Sequence, residues 1–323
     1  MAILISGKDE GNRLMRIAVM AAGGVGGYFG GRLAAAGHDV TFFARGMHLA
    51  AIRNKGLAIE SVHGGVRIEN AQATDDPAKV GPVDIVLFAV KLWDTEKAAA
   101  QLQPLIGPST RVITLQNGID SVERIAPIVG AEHAVAGIAY IATVIDTPGV
   151  IKQTSQFARI SFGRSDDRAD SQLEAFAEAA KAAGIDAAVS PSIEVERWEK
   201  FVFLVAMSAL TSAMRQPIGP IMADPDTAPW FEAVMREVAA IAKAKGIGLA
   251  DDFVDKRLAF VRSGGTPPTM KASMAHDLER GNRLELDWLS GKVVQLGREL
   301  GVPTPANDAI YAVLKLHRMG AGN

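Results

Sequence analysis

Over the first half of the chain, short apolar runs alternate with segments rich in small residues, and the pattern predicts strands at 17–20, 39–43, 85–90 and 112–115. Helices are expected between them at 26–36 and 95–102. Strands that alternate with helices pair in parallel through crossover connections, so this half is expected to be an α/β domain. Further β-like pieces at 149–153 and 158–162, with an Ala-rich helix at 171–183, complete it. After Ser190-Pro191 the apolar positions recur at helical spacing over 194–214, 229–245, 251–261, 269–279, 284–301 and 307–317. Pro217, Pro220, the 263–268 stretch and the Pro303/Pro305 pair punctuate these helices. The expected organisation is a sheet domain over 15–190 and an all-helical domain over 191–323, with a ligand cleft between them.

Composition narrows the function. The 323 residues carry 34 Lys+Arg against 36 Asp+Glu, a formal charge of −2, which offers no basic surplus for general nucleic-acid binding. The absence of Cys removes disulfides, thiolate metal sites and Cys nucleophiles, and a reducing, cytoplasmic location is expected. The six His show no metal-binding spacing, so no metal is expected. The uncharged stretch at 17–31 is 15 residues long and Gly-rich, too short for a membrane span, and no membrane partner is expected. Residues 1–14 lack a positive n-region and a cleavage pattern; they are expected to be a disordered extension or an upstream-start artefact rather than an export signal. Whether the chain forms a homo-oligomer is open.

The first predicted strand, turn and helix contain Ala21-Ala22-Gly23-Gly24-Val25-Gly26, a G-x-G-x-x-G loop with Ala at its first Gly position. Gly23 lets backbone approach a pyrophosphate, Gly26 lets the helix pack on the strand, and the helix N-terminus favours the anion. The alternative is a tight turn packed with small residues, and the flanking strand and helix favour the dinucleotide. The sheet domain is therefore expected to be Rossmann-type. The second strand ends in Arg45 where an NAD site carries a carboxylate. A guanidinium suits a 2′-phosphate, so NADP is expected, unless Arg45 is an ordinary solvated side chain.

Lys91 and Gln116-Asn117-Gly118 fall at the carboxyl ends of later strands, where ligands bind doubly wound sheets, although each could be a plain loop. Lys200 opens an apolar helix face shared with Phe203, Leu204, Met207, Ser208 and Thr211. Burial there would lower its pKa and suit it to proton donation, whereas spacing alone favours an amine that snorkels to water. Ser273, Asp277, Glu285 and Asp287 gather around Gly281. One of their carboxylates could pair with Lys200 or orient a substrate hydroxyl; a solvated acidic face is the default. The absence of G-x-x-x-x-G-K-[ST] and G-x-S-x-G patterns argues against ATPase and serine-hydrolase chemistry.

Taken in order, the Gly23/Gly26 loop with Gly30-Gly31, Arg45, Val90-Lys91, Gln116-Asn117-Gly118, Trp198-Glu199-Lys200-Phe201, Ser273-Met274 with Asp277-Leu278-Glu279, Glu285-Leu286-Asp287 with Gly291, and Pro303–Asn307 resemble the ketopantoate reductase family from Met15 onward. The resemblance implies NADPH-dependent reduction of a 2-keto acid to the 2-hydroxy acid, with 2-dehydropantoate the leading substrate and pantothenate biosynthesis the setting. It implies Lys200 as general acid, Glu285 on a substrate hydroxyl, Ser273 on the carboxylate, Asn117 with Lys91 between nicotinamide and substrate, and Arg45 on the 2′-phosphate. The family carries Asn one and two turns after the catalytic Lys, where this chain has Leu204 and Ser208. Each buried substrate polar group left unpaired costs about 1–3 kcal/mol. A paralogue acting on a more apolar 2-keto acid, a hydroxyacid or opine-type dehydrogenase, and a non-catalytic NADP sensor therefore stay open.

Overall fold

The computed structural model describes residues 14–321, so most of the expected extension over 1–14 lies outside the described residues. The chain divides into two units, one running up to Gln116 and then over Asp120–Ile193, the other taking Asn117–Ile119 and the chain from Glu194 onward.

In the first unit the elements are β1 (Arg16–Met20), α1 (Gly24–Ala35), β2 (Asp39–Phe43), α2 (Gly46–Lys55), β3 (Leu57–Glu60), β4 (Val66–Ile68), β5 (Gln72–Thr74), β6 (Ile85–Phe88), α3 (Thr95–Ala99), β7 (Arg111–Thr114), α4 (Ser121–Val129), β8 (Ala134–Thr147), β9 (Val150–Gly163), α5 (Ser171–Ala182) and β10 (Asp186–Val189). Strands β5, β2, β1, β6, β7 and β8 are parallel neighbours in that order. Their faces are apolar on both sides, as the four fully buried residues of β6 show, because helices cover a parallel sheet. The order reverses between β1 and β6, and that switch point is where such sheets bind ligands.

Beyond β8 the sheet departs from the expected pattern. The two short β pieces expected near 149–162 are parts of a 14-residue antiparallel pair, β8 with β9, whose register shifts at Ile141/Thr143 and Ile145/Thr147. Such irregularities bend a ladder. Strand β3 then joins β9 in parallel and β4 pairs with β3. This extra arm explains the Gly-rich composition of α1. A Cβ on Gly26 or Gly30 would strike Val19 of β1, while one on Gly24, Gly27 or Gly31 would strike Thr143, Ile151 or Ile59 of the arm. The helix is thus gripped on two faces at once. Its glycines give up intrinsic helix stability, about 1 kcal/mol each relative to Ala, for that close packing.

Alternation did not reveal α2, α4, β3 to β5 or β10, which are short or mixed in polarity. The helix expected at 95–102 is shorter, α3 giving way to a 3₁₀ run at Ala100–Leu105 that contains Pro104.

The second unit contains α6 (Ile193–Ala213, its first residue counted with the sheet unit), α7 (Ile218–Ala223), α8 (Ala228–Ala244), α9 (Phe253–Phe260), α10 (Ser273–Glu279), α11 (Ser290–Leu300) and α12 (Pro305–Leu314). Its core takes Trp198, Phe201, Val202, Val205, Ala209 and Leu210 from α6, spaced as one helical face, and Phe231, Val234, Met235 and Val238 from α8. Pro220, expected to break helices, lies inside the short α7. The helix expected over 284–301 breaks at Leu289 (φ −105°, ψ −103°), which separates a 3₁₀ turn at Leu286–Trp288 from α11. The Pro303–Asn307 motif begins α12, and Glu237 of α8 caps it by accepting from the backbone N–H groups of Ala306 and Asn307 at 2.7 and 2.9 Å. The motif thus serves helix docking, satisfying donors that a helix start leaves unpaired.

Candidate active site

The sheet unit offers a backbone cradle at the end of β1. Ala21 takes a left-handed conformation (φ 72°), Ala22 donates its N–H to Phe43 O at 2.7 Å, and Gly23 caps α1. A Cβ on Gly23 would meet nothing within 4 Å, so that face of the loop is open. On the opposite side Gly24 presses on Thr143, whose buried Oγ1 has no hydrogen-bond partner among the described residues, and a Cβ on Gly26 would come within 2.3 Å of Ala21 O. Space outside, close packing inside and the free N–H groups of a helix start, Val25 among them, fit a pyrophosphate.

Arg45 follows β2 at the N-cap of α2, with its side chain 81% exposed and its guanidinium 3.3 Å from Asp94. An exposed cation at the end of the second strand fits a 2′-phosphate. Lys91 follows β6, exposed, with its ammonium 5.6 Å from the Trp93 ring centroid.

In the helical unit Asn117, Lys200 and Glu285 converge. The Lys200 Nζ donates to Asn117 Oδ1 at 3.3 Å across 83 residues of sequence. The residue as a whole is half-buried, but its ammonium end is desolvated. Loss of hydration lowers its pKa from 10.5 to about 8, against an upward pull from the nearby Glu285 carboxylate. Glu285 is itself buried. Of the other acids around Gly281, Asp277 accepts from Asn282 Nδ2 at 3.2 Å to close the turn after α10, and Asp287 accepts from Tyr311 Oη at 2.9 Å. Both are occupied in holding local structure, which leaves Glu285 as the carboxylate that faces the lysine.

Leu204 and Ser208 lie one and two turns beyond Lys200 on α6, half-buried and buried respectively. Thr211 continues the strip, donating to Met207 O at 2.6 Å and accepting from the Ala272 N–H at 3.3 Å. Ala272 is the N-cap of α10, so this bond roots the helix that begins with the exposed Ser273.

Two family models match the chain in sequence, "Ketopantoate reductase PanE/ApbA" over residues 17–167 and "Ketopantoate reductase PanE/ApbA C terminal" over 192–318. A 2-dehydropantoate 2-reductase of Caulobacter vibrioides is 32% identical, over 92% of this chain and 97% of that protein. The chain belongs to the ketopantoate reductase family. It is accordingly an oxidoreductase. An uncharacterised oxidoreductase of Bacillus subtilis, YkpB, is 28% identical over 94% of this chain and 99% of its own. Among solved structures, a family ketopantoate reductase of Ralstonia eutropha superposes with a TM-score of 0.85 at 32% identity, covering 94% of this chain and 98% of that one.

Three residues hold this ketopantoate reductase fold's polar groups in place: sequence reasoning passed over His48 and Arg197, and took Gln116 only as part of the Gln116-Asn117-Gly118 motif. His48 Nδ1 accepts from the Gly149 N–H at 3.1 Å, so its Nε2–H donates to Ala22 O at 2.8 Å and ties the Gly loop to the β8–β9 turn. Gln116 donates to Val90 O at 3.0 Å and Thr95 Oγ1 at 2.9 Å, fixing the end of β7 against the end of β6. Arg197, buried, donates to Ile119 O and to Glu194 at 2.6 Å, and so fastens the 117–119 loop to α6. No sequence signal set Arg197 apart, because it lies among Glu194, Glu196, Glu199 and Lys200 in the charged opening of α6.

Proposed function

We propose that the protein reduces a 2-keto acid to the corresponding 2-hydroxy acid with NADPH, and that 2-dehydropantoate, giving pantoate, is its substrate. The observation that carries this is Lys200, a desolvated ammonium with a pKa near 8, bonded to Asn117 and opposite the buried Glu285. When bound, NADPH supplies the hydride that converts the carbonyl carbon to a carbinol. The developing alkoxide then needs a proton, and Lys200 provides it. With a pKa near 8 it is mostly protonated at neutral pH, yet far more acidic than an ordinary lysine. Asn117 holds the ammonium in place, and Glu285 keeps it partly charged and accepts from a substrate hydroxyl. Ser273 takes the substrate carboxylate. Gly23, Gly24, Val25 and Gly26, with Ala21 and Ala22 leading into them, hold the pyrophosphate; Arg45 takes the 2′-phosphate and Lys91 the nicotinamide end.

Leu204 favours a second substrate. An alkyl side chain stands where the resemblance implies an amide, and this suits a 2-keto acid without a distal hydroxyl. A panel of 2-keto acids followed by NADPH absorbance tests both. Turnover with ketopantoate above all others supports the first, turnover restricted to apolar keto acids supports the second, and no turnover with any of them refutes the reaction.

A further inference from the structure

The Arg45 guanidinium does not stand alone. Its terminal nitrogen is 3.3 Å from the carboxylate of Asp94, which comes from the turn after β6, and the Asp94 side chain is 31% exposed. Asp94 occupies the N-cap of α3, where an aspartate ordinarily accepts backbone N–H bonds, yet its carboxylate makes no such bond. Its charge is therefore directed at Arg45 rather than spent on the helix.

We propose that Asp94 is a cofactor-specificity residue, a counter-charge that limits the preference for a 2′-phosphorylated dinucleotide. The proposal rests on the assignment of the 2′-phosphate to Arg45. A phosphate that approaches Arg45 must share the guanidinium with a carboxylate already paired to it, and its own negative charge faces that carboxylate. A dinucleotide with a free 2′-hydroxyl meets neither cost and can use a carboxylate as a hydrogen-bond acceptor, the role an acidic residue plays in NAD sites. Exposure of both groups to water keeps the effect moderate. A unit charge opposing a phosphate several ångströms away at the protein surface corresponds to about five-fold in affinity.

Dissociation constants for NADPH and NADH, measured on the enzyme without keto acid by fluorescence titration, test this directly. Asp94→Asn preserves size and removes the charge. It is expected to tighten NADPH binding about five-fold, to change NADH binding less than two-fold, and to show its largest effect at low salt. Unchanged NADPH affinity overturns the proposal. Weaker NADPH binding also overturns it, since Asp94 would then be orienting Arg45 for the phosphate. Arg45→Ala serves as the independent control. If it erases the NADPH preference while Asp94→Asn does nothing, only the role of Asp94 fails. If it weakens both cofactors equally, the assignment of Arg45 fails and the proposal falls with it.

Discussion

The two units present their candidate groups in opposite ways. The sheet unit works through backbone and absent side chains: Gly23 open to solvent, Gly24 and Gly26 packed too closely for a Cβ, and exposed cations at Arg45 and Lys91. The helical unit works through buried side chains: a desolvated Lys200, a buried Glu285 and a buried Arg197 fastening the 117–119 loop. A phosphate is bound by any correctly curved backbone with free N–H groups, so that region needs shape and little chemistry. Proton transfer near neutral pH is served by a group of shifted acidity, and for Lys200 it is the exclusion of water that shifts it. Affinity for cofactor and rate of chemistry are therefore expected to separate by unit when residues are substituted.

The largest effect sharpens that separation. Lys200→Met should lower kcat by ~10²–10⁴, the usual yield of a positioned acid, with little change in NADPH affinity. Near-normal turnover in stopped-flow or steady-state assays would leave water as the proton source. Arg45→Ala should do the reverse, with NADPH affinity falling ~10–100-fold, as for loss of a charge-assisted bond, and NADH affinity hardly altered.

Next in size is the double change Leu204→Asn with Ser208→Asn. It should raise kcat/KM for ketopantoate about ten-fold over 2-keto-3,3-dimethylbutyrate, since only the former has a distal hydroxyl for the new amides. Wild type that already prefers ketopantoate strongly, with no change in the double variant, would contradict a divergent pocket. Thr211→Val removes the bond that roots α10 and should raise KM for keto acid a few-fold, roughly the loss of one hydrogen bond, while NADPH affinity holds. Thr211→Ser should restore KM; failure of that rescue would reduce Thr211 to packing. The smallest effect is on stability. Ala21→Gly relieves a left-handed alanine at some cost in unfolded-chain entropy, for a net gain of about 0.5–1 kcal/mol. Thermal unfolding should show a midpoint higher by ~1–3 °C.

The same contrast decides what could be read from the sequence. Backbone demands fix residue type at fixed spacing, so the Gly loop, the strands around the switch point and the α/β class were legible from local pattern. The reason for Gly30 and Gly31 was not, because it lies in Val19 and Phe42 on one side and Ile59 on the other, brought there by the unexpected length of the β8–β9 pair. In the helical unit periodicity located α6, α8, α9 and α12 to within a few residues, while the helix expected over 284–301 is broken at Leu289. It could not choose among Asp277, Glu285 and Asp287, since the choice depends on which carboxylate the fold turns toward Lys200. Nor could it show His48 reaching Gly149 across 101 residues. Groups defined by tertiary approach leave no periodic trace.

The pH dependence of kcat/KM for the keto acid, at saturating NADPH, tests most directly the claim that Lys200 donates the proton. A donor must be protonated to act, so activity in the direction of reduction should be level below a pH of about 8 and fall about ten-fold per pH unit above it, where Lys200 loses its proton. Lys200→Met should retain only a low rate without that limb. A limb near 8 that persists unchanged in Lys200→Met would assign the titration to another group and contradict the account.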